Sequence, residues 1–479
     1  MSLDPPTYLA SLQGNIRQRL IPWDGAVRAG TLTEEQLARI RAVDKVKKDV
    51  RKQTIEADLD GYRVLFVGGD GKKSVLELAA KRQDVVQYIL VLLKDLLDTV
   101  PALSKALVEN GDPYRHFLPL LKSAQPGDAI PLLTSTVLVS LMAGSRDEAS
   151  ATVDKALPLI FNYLSSLAKN SDAGLQDIGV QEFSSLLYGS ATRRQFWTQR
   201  GETVSPLIDI LKAAAGIGKD SSAASLVGGS STTANRSGFE GSLSGGVGLQ
   251  LLYHVLLVMW QLSFEAAEIG AALNKEHDIV FLYTQLLRLS PKEKTSRLLL
   301  ATLYNILSAN QDELLGIAVS ARLPSLLQNL QTRQFNDPDL RDDLDRLREL
   351  LEEYTKTKTT FDEYVAEINQ GHLRWTPPHR NTVFWAENAR KILDYENGAL
   401  IRKLAEIIKE PWENEKSVLA VACNDIGYLV REVPEKRYQL EKHGLKTRVM
   451  ELMGDSDENV RWESLRALGG WLQYSFDTK

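Results

Sequence analysis

Several groups in this 479-residue chain have the residue types for chemistry: a glycine–lysine run, six histidines, one cysteine, and a tryptophan set among glutamates. GGDGKKS, Gly68 to Ser74, has the composition of a phosphate-binding loop. Such a loop needs Gly, four residues, then Gly-Lys-Ser/Thr, so that backbone amides wrap the phosphates and the hydroxyl reaches the metal. Phe66 stands five before Gly71, and Lys73 stands where Ser or Thr is required, so the run reads as a surface turn. The histidines, His116, His254, His277, His372, His379 and His443, form no HExxH, and none has a cysteine at zinc spacing. His254 lies in an apolar helix and reads as a core or groove residue. Cys423, in AVACNDIG, reads as a buried structural thiol. No carboxylate pair, nucleophile–base pair or glycine cradle remains, so the chain is read as non-catalytic, with no catalytic, cofactor-binding or metal-binding residue.

KEPWENEKS, Lys409 to Ser417, is the remaining candidate site. Pro411 ends the helix ALIRKLAEII, and the next helix begins near Ser417. Glu410, Trp412, Glu413, Asn414 and Glu415 make a candidate protein-binding loop, because tryptophan is enriched at binding hot spots. The same composition fits a Trp412 folded back on its own helices, and the residues leave both readings open.

Composition points the same way, to a binding protein. Hydrophobic residues are 43% and charged residues 25%, which is ordinary for a globular chain. A net charge of -5 gives no sign of a nucleic-acid binder. The basic run DKVKKDVRK, Asp44 to Lys52, is interleaved with acids and valines and reads as a solvated helix face. One cysteine excludes a disulfide framework and fits a reducing compartment, where the sequon Asn235-Arg236-Ser237 would carry no sugar. The N-terminus has no secretory signal pattern. VVQYILVLLKDLL and LQLLYHVLLVMWQL fall short of the roughly 18 apolar residues of a membrane span, so no direct membrane insertion is expected.

The elements that position these residues repeat. Leu256, Met259 and Leu262 align with Leu300, Leu303 and Ile306 at an offset of 44, and again with Leu344, Leu347 and Leu350. Ile426-Gly427 aligns with Leu468-Gly469 at an offset of 42. Roughly 40–47 residues is the period of HEAT and armadillo repeats, and the apolar spacing is helical. The expected fold is an all-α, right-handed α-solenoid. Its N-terminal domain (1–358) is large, its C-terminal domain (359–479) smaller, and a hinge joins them. Gly371, Pro377 and Pro378 are the hinge candidates because they forbid a continuous helix. A Gly/Ser stretch at about 214–248 is expected to be a disordered loop. Thr33 to Gln36 reads as a capping box, and Ser456 or Asp457 as the N-cap of a last helix. In that helix Val460, Ser464, Ala467 and Trp471 share a face that a further repeat would be needed to cover.

Several stretches resemble the family of H subunits of the vacuolar-type proton ATPase (V-ATPase), most like its fungal members. IRQRLIPWDGAVRAGTLTEEQL carries Ile16-Arg17, Arg19, Trp23-Asp24 and Ala26. PKEKTSRLLLATLYNIL, from Pro291, resembles a family helix. The most specific stretch holds Phe361-Asp362-Glu363-Tyr364, Trp375, Pro378-His379 and Phe384-Trp385 with Asn388. NDIGYLVREVPEKRYQLEKHG and VMELMGDSDENVRWESLRAL resemble the family's C-terminal domain. The Gly/Ser stretch departs from the family and reads as a lineage-specific insertion. KEPWENEK aligns with a variable family loop but is short.

The resemblance implies a regulatory, non-catalytic subunit without cofactors. Its N-terminal domain would hold the peripheral stalk built from the E and G subunits, and its C-terminal domain would meet the cytosolic domain of the membrane-sector "a" subunit. In the detached cytosolic sector it would inhibit ATP hydrolysis by contacting the catalytic-sector B and rotor subunits. It would be cytoplasmic, held at vacuolar and endomembrane surfaces through the complex. Glu410, Trp412, Glu413, Asn414 and Glu415 are the candidates for the inhibitory contact loop that such a role requires. The rival reading is a general armadillo adaptor such as a nuclear transport receptor, but the eight tryptophans form no WxxxN ladder, and Asn388 follows Trp385 one position short.

Overall fold

The computed structural model describes residues 6–69, 71–109, 112–122, 125, 127–144, 151–217, 247–290, 292–357 and 360–477. The greater part of the Gly/Ser stretch, the sequon and the expected boundary at 358/359 lie outside these residues. The described residues are helical and contain no β-strand beyond an isolated bridge between Gly69 and Lys72. They form two compact units, 6–216 with 247–265, and 266–477.

The first unit is built on α1 (Thr7–Gln18), α2 (Glu34–Val43), α3 (Gln83–Thr99), α4 (Ala129–Gly144), α5 (Ala151–Ala168), α6 (Ala173–Leu186) and α7 (Leu249–Leu262). α3 packs on α4, α4 on α6 and α6 on α7. α2 begins at the expected capping box: Thr33 Oγ1 accepts from the Gln36 amide, and Gln36 Oε1 accepts from the Thr33 amide, each at 3.1 Å. The described residues of GGDGKKS form the expected turn. Gly68 has φ +71°, and Ser74 caps the following helix by accepting from the Glu77 amide. The apolar α7 is a core helix, with Leu252, Val255, Leu256, Met259 and Leu262 buried. The run Leu249–His277 is long and apolar enough to cross a membrane by length and composition, but more than half of its most apolar stretch is buried within the protein.

The second unit is built on α8 (Ile279–Leu289), α9 (Glu293–Ala309), α10 (Gln311–Ser320), α11 (Pro338–Thr357), α12 (Thr360–Gln370), α13 (Thr382–Asp394), α14 (Ala399–Lys409), α15 (Ser417–Glu432), α16 (Leu445–Leu452) and α17 (Glu458–Asp477). α9 packs on α11, α10 on α12, α13 on α15 and α15 on α17. Asp457 is the N-cap of α17, accepting from the amides of Asn459 and Val460 at 2.9 and 3.1 Å, while Ser456 bonds Asp455 instead.

The repeat period reappears as hydrogen bonds between successive repeats. Tyr88 donates to Asp44 across 44 residues, the Asn310 amide to the Ala266 carbonyl across 44, and the Asn336 backbone N–H to Glu293 across 43. Asn424 donates to the His379 carbonyl across 45, and Arg466 to Asn424 across 42. These bonds join residues about one repeat length apart, as contacts between stacked supersecondary units do. Where the Gly/Ser stretch intervenes, Gln261 reaches the Ser184 carbonyl across 77, an excess that the stretch's length accounts for. The apolar alignment holds for Leu256, Met259, Leu262, Leu300, Leu303, Ile306, Leu344 and Leu347, all buried. It slips by one at Leu350, where Leu351 takes the core position.

One expectation is corrected. The face of α17 carrying Val460, Ser464, Ala467 and Trp471 is already buried, and α17 packs against α15. The contact is close because Gly427 lies under Ala467: a Cβ on Gly427 would sit 3.1 Å from the Ala467 Cα, whereas one on Gly469 would meet nothing. The two glycines aligned by the repeat therefore predict opposite behaviour. Gly427→Val is expected to destabilise the chain by about 1–3 kcal/mol through overpacking. Gly469→Ala is expected to stabilise it by about 0.5–1 kcal/mol through lost unfolded-state freedom. Urea denaturation of the two variants reads both.

Candidate functional site

α14 buries Leu400, Ile401, Leu404, Ile407 and Ile408 along one stripe, and its end sets the position of the candidate loop. Trp412 turns back with φ +43°. Its Nε1–H donates to the Ile407 carbonyl at 2.8 Å, and its ring is half-buried against the core of residues 361–471. Of the two readings left open by composition, the structure has the tryptophan folded on its own helices. Glu415 is half-buried and paired with His372, whose ring also stands edge-on to Trp412 with centroids 5.0 Å apart. Lys416 reaches Asp455 in the next repeat at 2.9 Å. Glu410, Glu413 and Asn414 remain exposed. The loop is thus an acidic tip on a fixed base, and the five predicted residues divide between those two parts.

The partner of that base, His372, follows the hinge candidate Gly371, which ends α12 with φ +84°. Sequence reading missed the pairing. Its only signal was the separation of 43 residues between His372 and Glu415, one repeat length. The segment after Gly371 is held at several points. Arg374 pairs with Asp278, and its guanidinium lies 3.6 Å from the centroid of Phe281 on α8. The Arg374 amide donates to Glu367 at 2.7 Å, and Thr376 Oγ1 donates to the other Glu367 oxygen at 2.7 Å. Pro377 and Pro378 open a one-turn helix, Pro377–Arg380, that delivers His379 into the core.

His379 is fully buried between two carboxylates. Its Nδ1 is 2.8 Å from Asp425, and its Nε2 is 3.2 Å from Glu367. Burial opposes a charge on the imidazole, but Asp425 and Glu367 outweigh burial and push its pKa up to about 10. Burial raises Asp425 in turn, partly offset by His379. Tyr364 and Asn424 also donate to Asp425. A protonated His379 thus ties the segment after α12 to α15.

The other sequence candidates are structural. His254 is buried, facing Asp177 and Gln181. Cys423 is buried, and burial pushes its thiol pKa up, away from nucleophilic reactivity. Trp385 is fully buried and stacks on Tyr428, unlike a groove-lining tryptophan. Among the described residues no group of acidic, histidine or cysteine side chains is placed to hold a metal.

Two family models, both described as the H subunit of the V-ATPase, match the chain, one over residues 7–351 and one over residues 357–476. The V-type proton ATPase H subunit of Drosophila melanogaster is 27% identical over 471 residues, covering 96% of this chain and 89% of that protein. The V-type proton ATPase H subunit of Dictyostelium discoideum is 25% identical over 419 residues, covering 86% and 83%. The first of two probable V-type proton ATPase H subunits of Caenorhabditis elegans is 34% identical over 227 residues, covering 46% and 49%.

Two outcomes follow from the geometry. His379→Leu strands two buried carboxylates and is expected to cost about 3–5 kcal/mol in urea denaturation. Because the folded pKa lies above the unfolded value, the stabilisation from protonated His379 is fully present below about pH 6.5 and is lost as pH rises through about 10. The stability gap between the parent chain and His379→Gln should shrink over that range. Trp412→Ala should cost about 1–3 kcal/mol, while Glu410→Ala, Glu413→Ala and Asn414→Ala should each stay within about 0.5 kcal/mol.

Proposed function

We propose a function from one premise, that the chain belongs to the family of V-ATPase H subunits. Family members are regulatory, non-catalytic subunits, and the chain's partners are other subunits of that complex. On our reading, residues 1–358 hold the peripheral stalk of the E and G subunits, and residues 359–479 meet the cytosolic domain of the membrane-sector "a" subunit. In the assembled pump the chain supports ATP-driven proton transport at vacuolar and endomembrane surfaces. In the detached cytosolic sector it contacts the B and rotor subunits and inhibits ATP hydrolysis.

The observation that carries the inhibitory role is the acidic tip Glu410, Glu413 and Asn414, held out from a base anchored by Trp412 and Glu415. A rigid base presents the tip with little ordering to lose on contact. Gly371, Pro377 and Pro378 are the proposed hinge. Arg374 lies between them, so a swing about Gly371 requires Arg374 to leave Asp278 and Phe281, and Glu367 to release the Arg374 amide, Thr376 and His379.

The test is ATP hydrolysis by the detached sector reconstituted with the full chain. The triple variant Glu410→Ala/Glu413→Ala/Asn414→Ala is expected to fold normally, to be retained by a co-expressed E/G pair, and to raise hydrolysis several-fold over the parent chain. Unchanged inhibition would remove the loop from the mechanism. Loss of E/G retention by the parent chain itself would remove the stalk assignment.

A further inference from the structure

We propose that the outer face of α17 is a docking site for an acidic amphipathic helix of a protein partner, separate from the 410–415 loop. α17 buries one face on α15 and leaves another bare: Trp462 is 65% exposed, Leu465 53% and Leu472 60%. With Gly469, also exposed, these residues recur at spacings of three, four and three. That is the a/d seam of a left-handed coiled coil, with Trp462 and Gly469 at a, and Leu465 and Leu472 at d. A surface helix that has already buried its core stripe does not need a second one at this spacing. Gly469 leaves open space in the middle of the seam, where a large side chain of the partner can seat.

Charge decides the occupant. The flanking positions with described side chains are Asn459 and Arg466 (e) and Arg461 and Leu468 (g); Leu468 is half-buried, and the charges there are the two exposed arginines. Arg461 donates to the backbone carbonyls of Asp455 and Ser456, not to a carboxylate. Arg466 pairs with Glu463, which faces the core, and also reaches Asn424. A second copy of the chain would set arginine against arginine in either helix direction, since parallel pairing joins g to e and antiparallel pairing joins g to g and e to e. The seam therefore disfavours self-association and fits a helix with Glu or Asp at its flanking positions. Trp462, large and exposed at one end, is the expected anchor.

The test uses the full chain and two fluorescein-labelled heptad peptides with Leu at a and d. One carries Glu at e and g, which keeps it from pairing with itself, and the other carries Lys. Fluorescence anisotropy at low salt should give tighter binding of the Glu peptide by about tenfold or more. Trp462→Ala and Leu465→Ala should each weaken it about tenfold with an unchanged circular dichroism spectrum. Arg461→Gln/Arg466→Gln should bring the two peptides' affinities together. No binding of the Glu peptide, equal binding of both peptides, or indifference to Trp462→Ala would overturn the proposal. A concentration-dependent dimer in sedimentation velocity that Trp462→Ala abolishes would also overturn it, by assigning the face to a second copy.

Discussion

A buried charge cannot be left alone, and residues 360–477 are arranged around one. His379 sits wholly inside the protein with Asp425 on one ring nitrogen and Glu367 on the other. Each of the three groups would be expensive to bury unpaired. Together they require α12, the Pro377–Arg380 turn and α15 to occupy one arrangement. Glu367 also takes the Arg374 amide and the Thr376 hydroxyl, so the same carboxylate shapes the segment that follows Gly371. His372, at the start of that segment, then meets Trp412 and Glu415. The base of the acidic loop is therefore set by this polar network together with the local bond from Trp412 to the Ile407 carbonyl.

The repeat explains why such links are possible. Stacked helical repeats bring residues about one period apart into register, so a side chain in one repeat meets its counterpart in the next. His379, Asn424 and Arg466 form a ladder across three successive repeats. The acidic tip and the α17 seam lie on different repeats, yet α14, α15 and α17 share one core.

Much of the fold was legible because it rests on local rules. Helical periodicity, the 42–44 residue offsets, the Thr33 capping box and the Asp457 cap all depend on residues within one or two turns or on a regular spacing. The failed phosphate loop was legible for the same reason, since a wrong residue at Phe66 or Lys73 is decisive in the sequence itself. The candidate loop was located correctly as the break after α14. The division of its residues into buried base and exposed tip was not, because Glu415 is paired with His372, 43 residues away, and Trp412 packs on the same ring.

The sequence by itself determined an all-helical chain of repeats, free of recognisable catalytic machinery, and carried enough motif detail to indicate its family. Only the tertiary structure decided which of two apolar stripes on α17 faces inward. On α17 both the Val460–Trp471 face and the Trp462–Leu472 face are apolar enough to be core, and periodicity cannot choose between them. The stripe that faces inward is the one whose Ala467 lies closely against Gly427 on α15. Likewise His379 reads in sequence as one histidine among six. Its charge follows from two carboxylates that folding brings to it from twelve residues before and forty-six after.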